Sequence, residues 1–245
     1  MKDDNIIFGL RPIIEAIKAG KEAEKLLIRN GLQSDLYFEL KELIKIHQIP
    51  FQYVPIEKLN RITRKNHQGL ICFISPVNYV PLENIIPLLF EEGKTPLLLI
   101  LDKITDVRNL GAIARTAECA GVNAIIIPSR GSALIGPDAI KTSAGALFKI
   151  PLCRSANLKE TIAYLKECGI RIISCSEKGE NFYYQADFTN PSAIILGSEE
   201  DGISPEYLKL SDMIVKIPLH GEIESLNVSV ASGIVLFEAL KQRAL

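Results

Sequence analysis

The chain has 245 residues, 47% of them hydrophobic, enough for one large domain or two small ones with buried cores. Lys and Arg number 28 against 29 Asp and Glu, a net charge of −1 that excludes a small protein coating nucleic acid by charge alone. No apolar run reaches the roughly 18 residues of a membrane helix, and the opening Met1-Lys-Asp-Asp-Asn5 lacks the basic-then-apolar plan of a secretory signal, so the expected compartment is the cytoplasm.

Residues 1–75 read as a small alternating unit. Apolar residues at helical spacing from Phe8, ending in Gly20, predict a helix with a C-terminal stop. Lys25-Leu-Leu-Ile28 is a short strand, Leu36 to His47 repeats the helical pattern, Phe51-Gln-Tyr-Val54 alternates as a strand does, and Gly69 to Ile74 closes the unit as a buried strand. The 12 Lys and Arg of residues 1–75 outnumber their 9 Asp and Glu, and Arg61-Ile-Thr-Arg-Lys-Asn-His-Gln68 concentrates the excess. That strip is either a solvated loop or a local phosphate contact. Residues 76–95, with Pro76, Pro81 and Pro87, are expected to be a connector carrying at most a short helix.

From residue 96 to 245 strand and helix alternate. The aliphatic runs at 97–101, 124–127, 170–174, 193–196 and 213–217 predict strands buried on both faces. Helical stretches follow at 109–120, 137–147, 158–168, 205–210 and 228–243. This order predicts an α/β domain with a mostly parallel sheet, whose ligands bind beyond the carboxyl ends of the strands. The last helix, with Val230, Ile234, Phe237 and Leu240, reads as an amphipathic core helix. Five scattered cysteines without a C-x-x-C pair and three histidines without a ligand spacing indicate no metal site. No G-x-G-x-x-G follows the first strand of this domain, and Gly131 to Gly136 lacks the lysine of a P-loop.

Three segments gather polar residues and glycines where strands end or helices begin: Asn109-Leu-Gly-Ala-Ile-Ala-Arg115, Leu196-Gly-Ser-Glu-Glu-Asp-Gly202, and Ile217-Pro-Leu219 with Ser225-Leu-Asn-Val-Ser-Val-Ala231. Taken singly they have ordinary readings. Asn109 suits a helix N-cap, Arg115 a surface ion pair, and Glu199-Glu-Asp201 a solvated acidic loop. Together and in order they resemble the three motifs of the SpoU (TrmH-type) RNA ribose 2′-O-methyltransferases of the SPOUT superfamily. Phe8-Gly-Leu-Arg-Pro-Ile-Ile-Glu-Ala-Ile and His67-Gln-Gly-Leu resemble the small RNA-binding domain of the members that methylate a guanosine ribose in 23S ribosomal RNA.

The resemblance implies a trefoil-knotted catalytic domain, S-adenosylmethionine as methyl donor, an RNA partner and a homodimer with its site at the subunit interface. Residue by residue it implies catalytic roles for Asn109, Arg115, Glu199, Ser225 and Asn227, a cofactor pocket at Leu196, Gly197, Gly202, Ile217, Leu219 and Leu226, and RNA contacts at Arg11, Arg61, Arg64, Lys65 and His67. Arginine is rarely a base in proteins, so Arg115 is expected to bind a phosphate and stabilise charge on the 2′-oxygen. Transfer RNA is the second candidate acceptor. A non-catalytic RNA-binding protein on the same fold, or an α/β nucleotide enzyme unrelated to RNA, are the alternatives from other classes.

Overall fold

The computed structural model describes residues 5–223 and 225–244, which divide into two compact units. The first comprises the described residues up to Asn78 together with Leu134–Gly136; the second comprises Tyr79–Ala133 and the described residues from Pro137 on.

Among its described residues the first unit contains β1 (Ile6–Phe8), α1 (Leu10–Lys18), β2 (Ala23–Arg29), α2 (Asp35–Ile46), β3 (Phe51–Val54), α3 (Ile56–Ile62) and β4 (Leu70–Ile74). They form a four-stranded sheet in the order β1-β4-β2-β3, with β3 at one edge. β2 and β3 run parallel, and β4 runs antiparallel to both β1 and β2. Ile13, Ile14 and Ile17 of α1 pack with Leu40 and Ile44 of α2 and with Leu26, Ile28 and Leu70 of the sheet. This one-sided apolar stripe makes each helix amphipathic. Ser34 caps α2, its hydroxyl accepting from the Tyr37 N–H at 3.2 Å. The basic strip is part helix, since Arg61 lies in the last turn of α3.

The second unit adds α4 (Leu82–Glu91), β5 (Leu97–Leu101), α5 (Val107–Cys119), β6 (Ala124–Pro128), α6 (Pro137–Thr142), β7 (Leu152–Ser155), α7 (Leu158–Glu167), β8 (Arg171–Cys175), β9 (Asn181–Phe182), β10 (Ser192–Leu196), α8 (Pro205–Leu208), β11 (Met213–Lys216) and α9 (Val228–Arg243). Among the described residues the sheet has seven strands in the order β7-β6-β5-β10-β8-β11-β9, every pairing parallel. Every residue of β5 and β10 is buried, as strands covered on both faces require.

Two expectations change. The proline-rich stretch 76–95 holds a ten-residue helix whose Leu82, Ile85, Ile86 and Leu89 are buried in the second unit's core. Pro81 occupies the N-cap position, where a missing N–H costs little, and Pro87 sits inside the helix. α9 is apolar on more than one side: Val228, Ser232, Val235, Leu236 and Ala239 are buried, whereas Val230 and Phe237 of the predicted core stripe are 52% and 49% exposed.

The far end of α9 is fastened by Arg243. Its guanidinium donates to the carbonyls of Phe188 and Thr95, both at 2.7 Å, and of Asn190 and Pro96 at 2.9 and 3.0 Å. Gln242 beside it donates to the Ala186 carbonyl and accepts from the Phe188 N–H. Arg243→Ala leaves these carbonyls to find other partners, and a loss on the order of 3 kcal/mol is expected, read as a fall in melting temperature of roughly 6–12 °C. A variant melting within 1 °C of the wild type would show that the clasp carries no stability.

Candidate active site

The carboxyl ends of the neighbouring strands β5, β10, β8 and β11 bring the predicted segments together. β5 runs into α5, whose cap is Asp106 and not Asn109: the Asp106 carboxylate accepts from the N–H groups of Arg108 at 2.6 Å and Asn109 at 3.1 Å. Asn109 thus sits in the first helical turn with its side chain free to reach outward. Its Nδ2 donates to Oε1 of Glu199 at 3.3 Å, and its Oδ1 accepts from Nδ2 of Asn227 at 3.0 Å. Asn227 Nδ2 also donates to Glu199 Oε1, which further accepts from the Val228 N–H at 3.3 Å. Asn227 at the same time caps α9, its Oδ1 accepting from the Ser229 N–H at 3.0 Å. Three of the five residues expected to be catalytic therefore form one cluster, and Glu199 Oε2 has no hydrogen-bond partner among the described residues.

The other two stand apart. Ser225 lines the neighbouring cleft but makes no hydrogen bond among the described residues. Arg115 is exposed, also without a polar partner among them. On a helix six residues carry it about 240° round and about 9 Å along from Asn109, so the two side chains leave α5 on different sides.

Beside the cluster lies a cleft of about 410 Å³. Leu196, Gly197, Gly202, Ile217, Leu219 and Leu226, the expected cofactor residues, all line it, with Ile203, Val228 and Ala231 adding apolar wall. Ser176, Glu177 and Lys178, just past the end of β8, line it too and were not expected. Their position beyond a parallel strand's carboxyl end was the available signal. Cys175 joins them as an inert wall, because burial pushes its thiol up to about 11.

Two features of the backbone shape this cleft. A Cβ at Gly197 would lie 2.1 Å from the carbonyl carbon of Gly202 and 2.3 Å from the nitrogen of Ile203, so the 197–203 loop closes on itself only with glycine there. The buried Asp102 carboxylate accepts from the Ser204 N–H at 2.8 Å, and the Asp102 N–H donates to the Leu196 carbonyl at 2.8 Å, tying the loops after β5 and β10 together. Gly111 serves packing: a Cβ would meet Thr142 Cβ at 2.7 Å and the Ala139 carbonyl at 2.9 Å, which is how closely α5 meets α6.

Charge selects the ligand. Glu177, Glu199, Glu200 and Asp201 face Lys178 around the cleft, an acidic balance that favours a cation and repels a polyphosphate. Asp106 already occupies the amides at the start of α5, so no phosphate cradle is left there. The apolar wall, glycine-lined backbone and acidic rim together suit a nucleoside carrying positive charge. Among the described residues no group of three His, Cys, Asp or Glu is placed to hold a metal, and no helix is long and apolar enough to cross a membrane.

In the first unit Arg11, Arg64 and Lys65 are exposed, and the Lys65 ammonium lies 5.6 Å from the centroid of the Phe8 ring. His67 is placed differently from these exposed residues. It is buried, its Nδ1 accepting from the Gly69 N–H at 3.0 Å, which leaves Nε2 to donate to Asn60 Oδ1 at 2.9 Å. Nε2 is committed to Asn60 of α3 and Nδ1 to Gly69 before β4, so His67 joins α3 to that turn from a buried position. Gln68 is the exposed neighbour, its Oε1 accepting from the Leu10 N–H at 3.2 Å.

Two family models match the chain: the SpoU rRNA methylase family over residues 96–237 and the RNA 2′-O ribose methyltransferase substrate-binding domain over residues 6–80. The 23S rRNA (guanosine-2′-O-)-methyltransferase RlmB of Vibrio parahaemolyticus is 37% identical over 236 residues, covering 94% of this chain and 95% of that protein. YacO of Bacillus subtilis, named for the TrmH family of tRNA/rRNA methyltransferases, is 31% identical over 237 residues, 97% of this chain and 95% of its own. Among solved structures, the AdoMet-bound rRNA methyltransferase of Sinorhizobium meliloti has a TM-score of 0.62 at 25% identity, covering 97% of this chain and 87% of that one. AviRb of Streptomyces viridochromogenes shares the fold with a TM-score of 0.62 at 24% identity, over 98% of this chain and 90% of its own.

Gly197→Ala is expected to destabilise the chain by about 1–3 kcal/mol in denaturant unfolding, because the added carbon meets backbone that must move. Gly221→Ala, with open space around it, is the matched control and should change stability little. Equal effects of the two would mean that the 197–203 loop is not held as described.

Proposed function

The chain belongs to the SpoU rRNA methylase family and is an S-adenosylmethionine-dependent RNA ribose 2′-O-methyltransferase; on that premise we propose that its acceptor is a guanosine ribose in 23S ribosomal RNA. The observation that carries the choice is the Vibrio relative that acts on that acceptor and matches this chain across both units. The tRNA/rRNA wording in the Bacillus relative's name keeps tRNA as the second acceptor to test.

When bound, S-adenosylmethionine supplies a methyl group made electrophilic by its sulfonium. We assign the apolar wall of Ile203, Ile217 and Leu226 to its adenosine and the acidic rim to its positive charge. Glu199, Asn109 and Asn227 hold the rim and the start of α9 in one geometry, which lowers the cost of ordering the acceptor beside the donor. The ribose 2′-hydroxyl is a weak nucleophile and must lose its proton as the new bond to carbon forms. A guanidinium is a donor without an acceptor site, so Arg115 is assigned to grip a flanking phosphate and to stabilise negative charge developing on the 2′-oxygen. Ser225, at the cleft and without a protein partner among the described residues, is assigned to the acceptor nucleotide.

Arg115 lies away from the Asn109 side of α5, and α9 leaves Val230 and Phe237 exposed. Both facts support a homodimer in which α9 meets a second copy and the site is completed across the interface. A trefoil threading of the catalytic unit is proposed as part of the same reading.

Labelled methyl transfer to unmodified 23S ribosomal RNA and to bulk tRNA, followed by nucleoside digestion, tests the acceptor. Label on a guanosine ribose of the ribosomal RNA is expected, falling about 10²–10³-fold in Arg115→Ala and less in Arg115→Lys. Label confined to tRNA, or on a base, would overturn the assignment. Phe237→Asp is expected to shift the chain to monomer in light scattering and to abolish transfer; an active monomer would remove the shared site.

A further inference from the structure

In the first unit, at the edge strand β3 and the start of α2, lies a cleft of about 440 Å³ bordered by Asn30, Gln33, Tyr37, Phe38, Lys41 and Tyr53. Two of its aromatic rings are on the outside: Phe38 is 61% exposed and Tyr53 49% exposed. Neither ring is needed for the unit's core, which α2 fills with Tyr37, Leu40 and Ile44. Exposed aromatic rings that border one cleft form a patch rather than lone surface residues, and a patch marks a candidate contact surface.

The Tyr53 ring is held in place. The Tyr53 hydroxyl lies 2.8 Å from that of the buried Tyr37, and Phe51 meets the Tyr53 ring edge-on, with centroids 5.6 Å apart. Anchoring of this kind removes the ordering cost that a loose surface ring imposes on binding. The Lys41 ammonium stands 4.9 Å from the Tyr37 centroid and 5.7 Å from that of Phe38, with no carboxylate partner among the described residues. The side-chain amides of Asn30 and Gln33 likewise have no hydrogen-bond partner among them. The cleft therefore offers stacking faces, a cation without a carboxylate partner and amides without hydrogen-bond partners among the described residues, all within one volume.

That combination is the chemistry of a nucleotide out of its helix: a π-face to stack on, base edges that donate and accept, and a phosphate. We propose that this cleft is a stacking platform for an unpaired nucleotide of the RNA substrate, with the base against Tyr53 and Phe38, its edge read by Asn30 and Gln33, and a phosphate on Lys41. The proposal rests on the chain being an RNA methyltransferase and deepens it. It places recognition on a surface made by α2 and β3, separate from the basic residues Arg61, Arg64 and Lys65 near α3.

The test is binding of the full chain to unmodified 23S ribosomal RNA, measured over a series of salt concentrations. Phe38→Ala and Tyr53→Ala are each expected to weaken binding about tenfold, Phe38→Tyr to leave it near the wild-type value, and the loss in Phe38→Ala to be the same at every salt concentration. Lys41→Ala is expected to lower the slope of log K against log salt by about 0.7. Thermal stabilisation by S-adenosylhomocysteine should be unchanged in all four, which reports that the catalytic unit is intact. Wild-type binding with both alanine variants within twofold of it overturns the platform and leaves the enzyme reading standing. A wild-type chain that neither binds nor methylates the RNA overturns the acceptor assignment and the platform with it.

Discussion

One carboxylate oxygen, Oε1 of Glu199, is the point on which the catalytic unit's loops converge. It accepts from Asn109, from Asn227 and from the backbone of Val228, groups that the chain supplies from 90 residues before it and from 28 and 29 residues after it. Hydrogen bonds to an ionised acceptor are about twice as strong as neutral ones, and three on one atom define position as well as energy. Because Asn227 is also the cap of α9, the same cluster decides where that helix begins. Arg243 decides where it ends, through four carbonyls of loops at the far side of the sheet. The helix is thus fixed at both termini by polar contacts, and its apolar residues are left to serve both the core and an outward face.

The cleft next to this cluster follows from parallel-strand architecture combined with charge. Parallel strands deliver all their following loops to one edge, so β5, β8, β10 and β11 each contribute there. What distinguishes this edge from a nucleotide-phosphate site is local. The helix start that would cradle a phosphate is closed by Asp106, and the rim carries Glu177, Glu199, Glu200 and Asp201. A cationic donor is favoured where an anionic one would be repelled. The closure of the 197–203 loop adds the steric condition, since only glycine at 197 lets backbone approach backbone so closely.

The first unit divides its polar residues between architecture and surface. His67 and Gln68, which look like recognition residues in a basic strip, hold the turn between α3 and β4 and tie it to the start of α1. Phe38 and Tyr53, which look like core residues in an apolar pattern, stand outside it. Each inversion has a local cause. A histidine with both nitrogens satisfied is cheap to bury, whereas Phe38, one residue on from the buried Tyr37, leaves α2 about 100° round from the face that Tyr37 fills.

The sequence by itself determined the period of nearly every element, and with it the α/β class. Short aliphatic runs such as Leu97–Leu101 and Ser192–Leu196 announce strands buried on both faces, and the spacing of Ile13, Ile14 and Ile17 announces a one-faced helix. It also offered Asn109, Glu199 and Asn227 as site residues, through the resemblance of their three segments, taken together and in order, to the motifs of a known family. Only the tertiary structure decided how they act: that Asp106 caps α5 and frees Asn109, that Asn227 caps and bridges at once, and that Ser176 to Lys178 complete the cleft. The short strands β1, β7 and β9, the helix α3, and the helix inside the proline-rich stretch were hidden for the same reason. Their signals are two to ten residues long and ambiguous alone, and they become ordered through partners that lie far away in the chain.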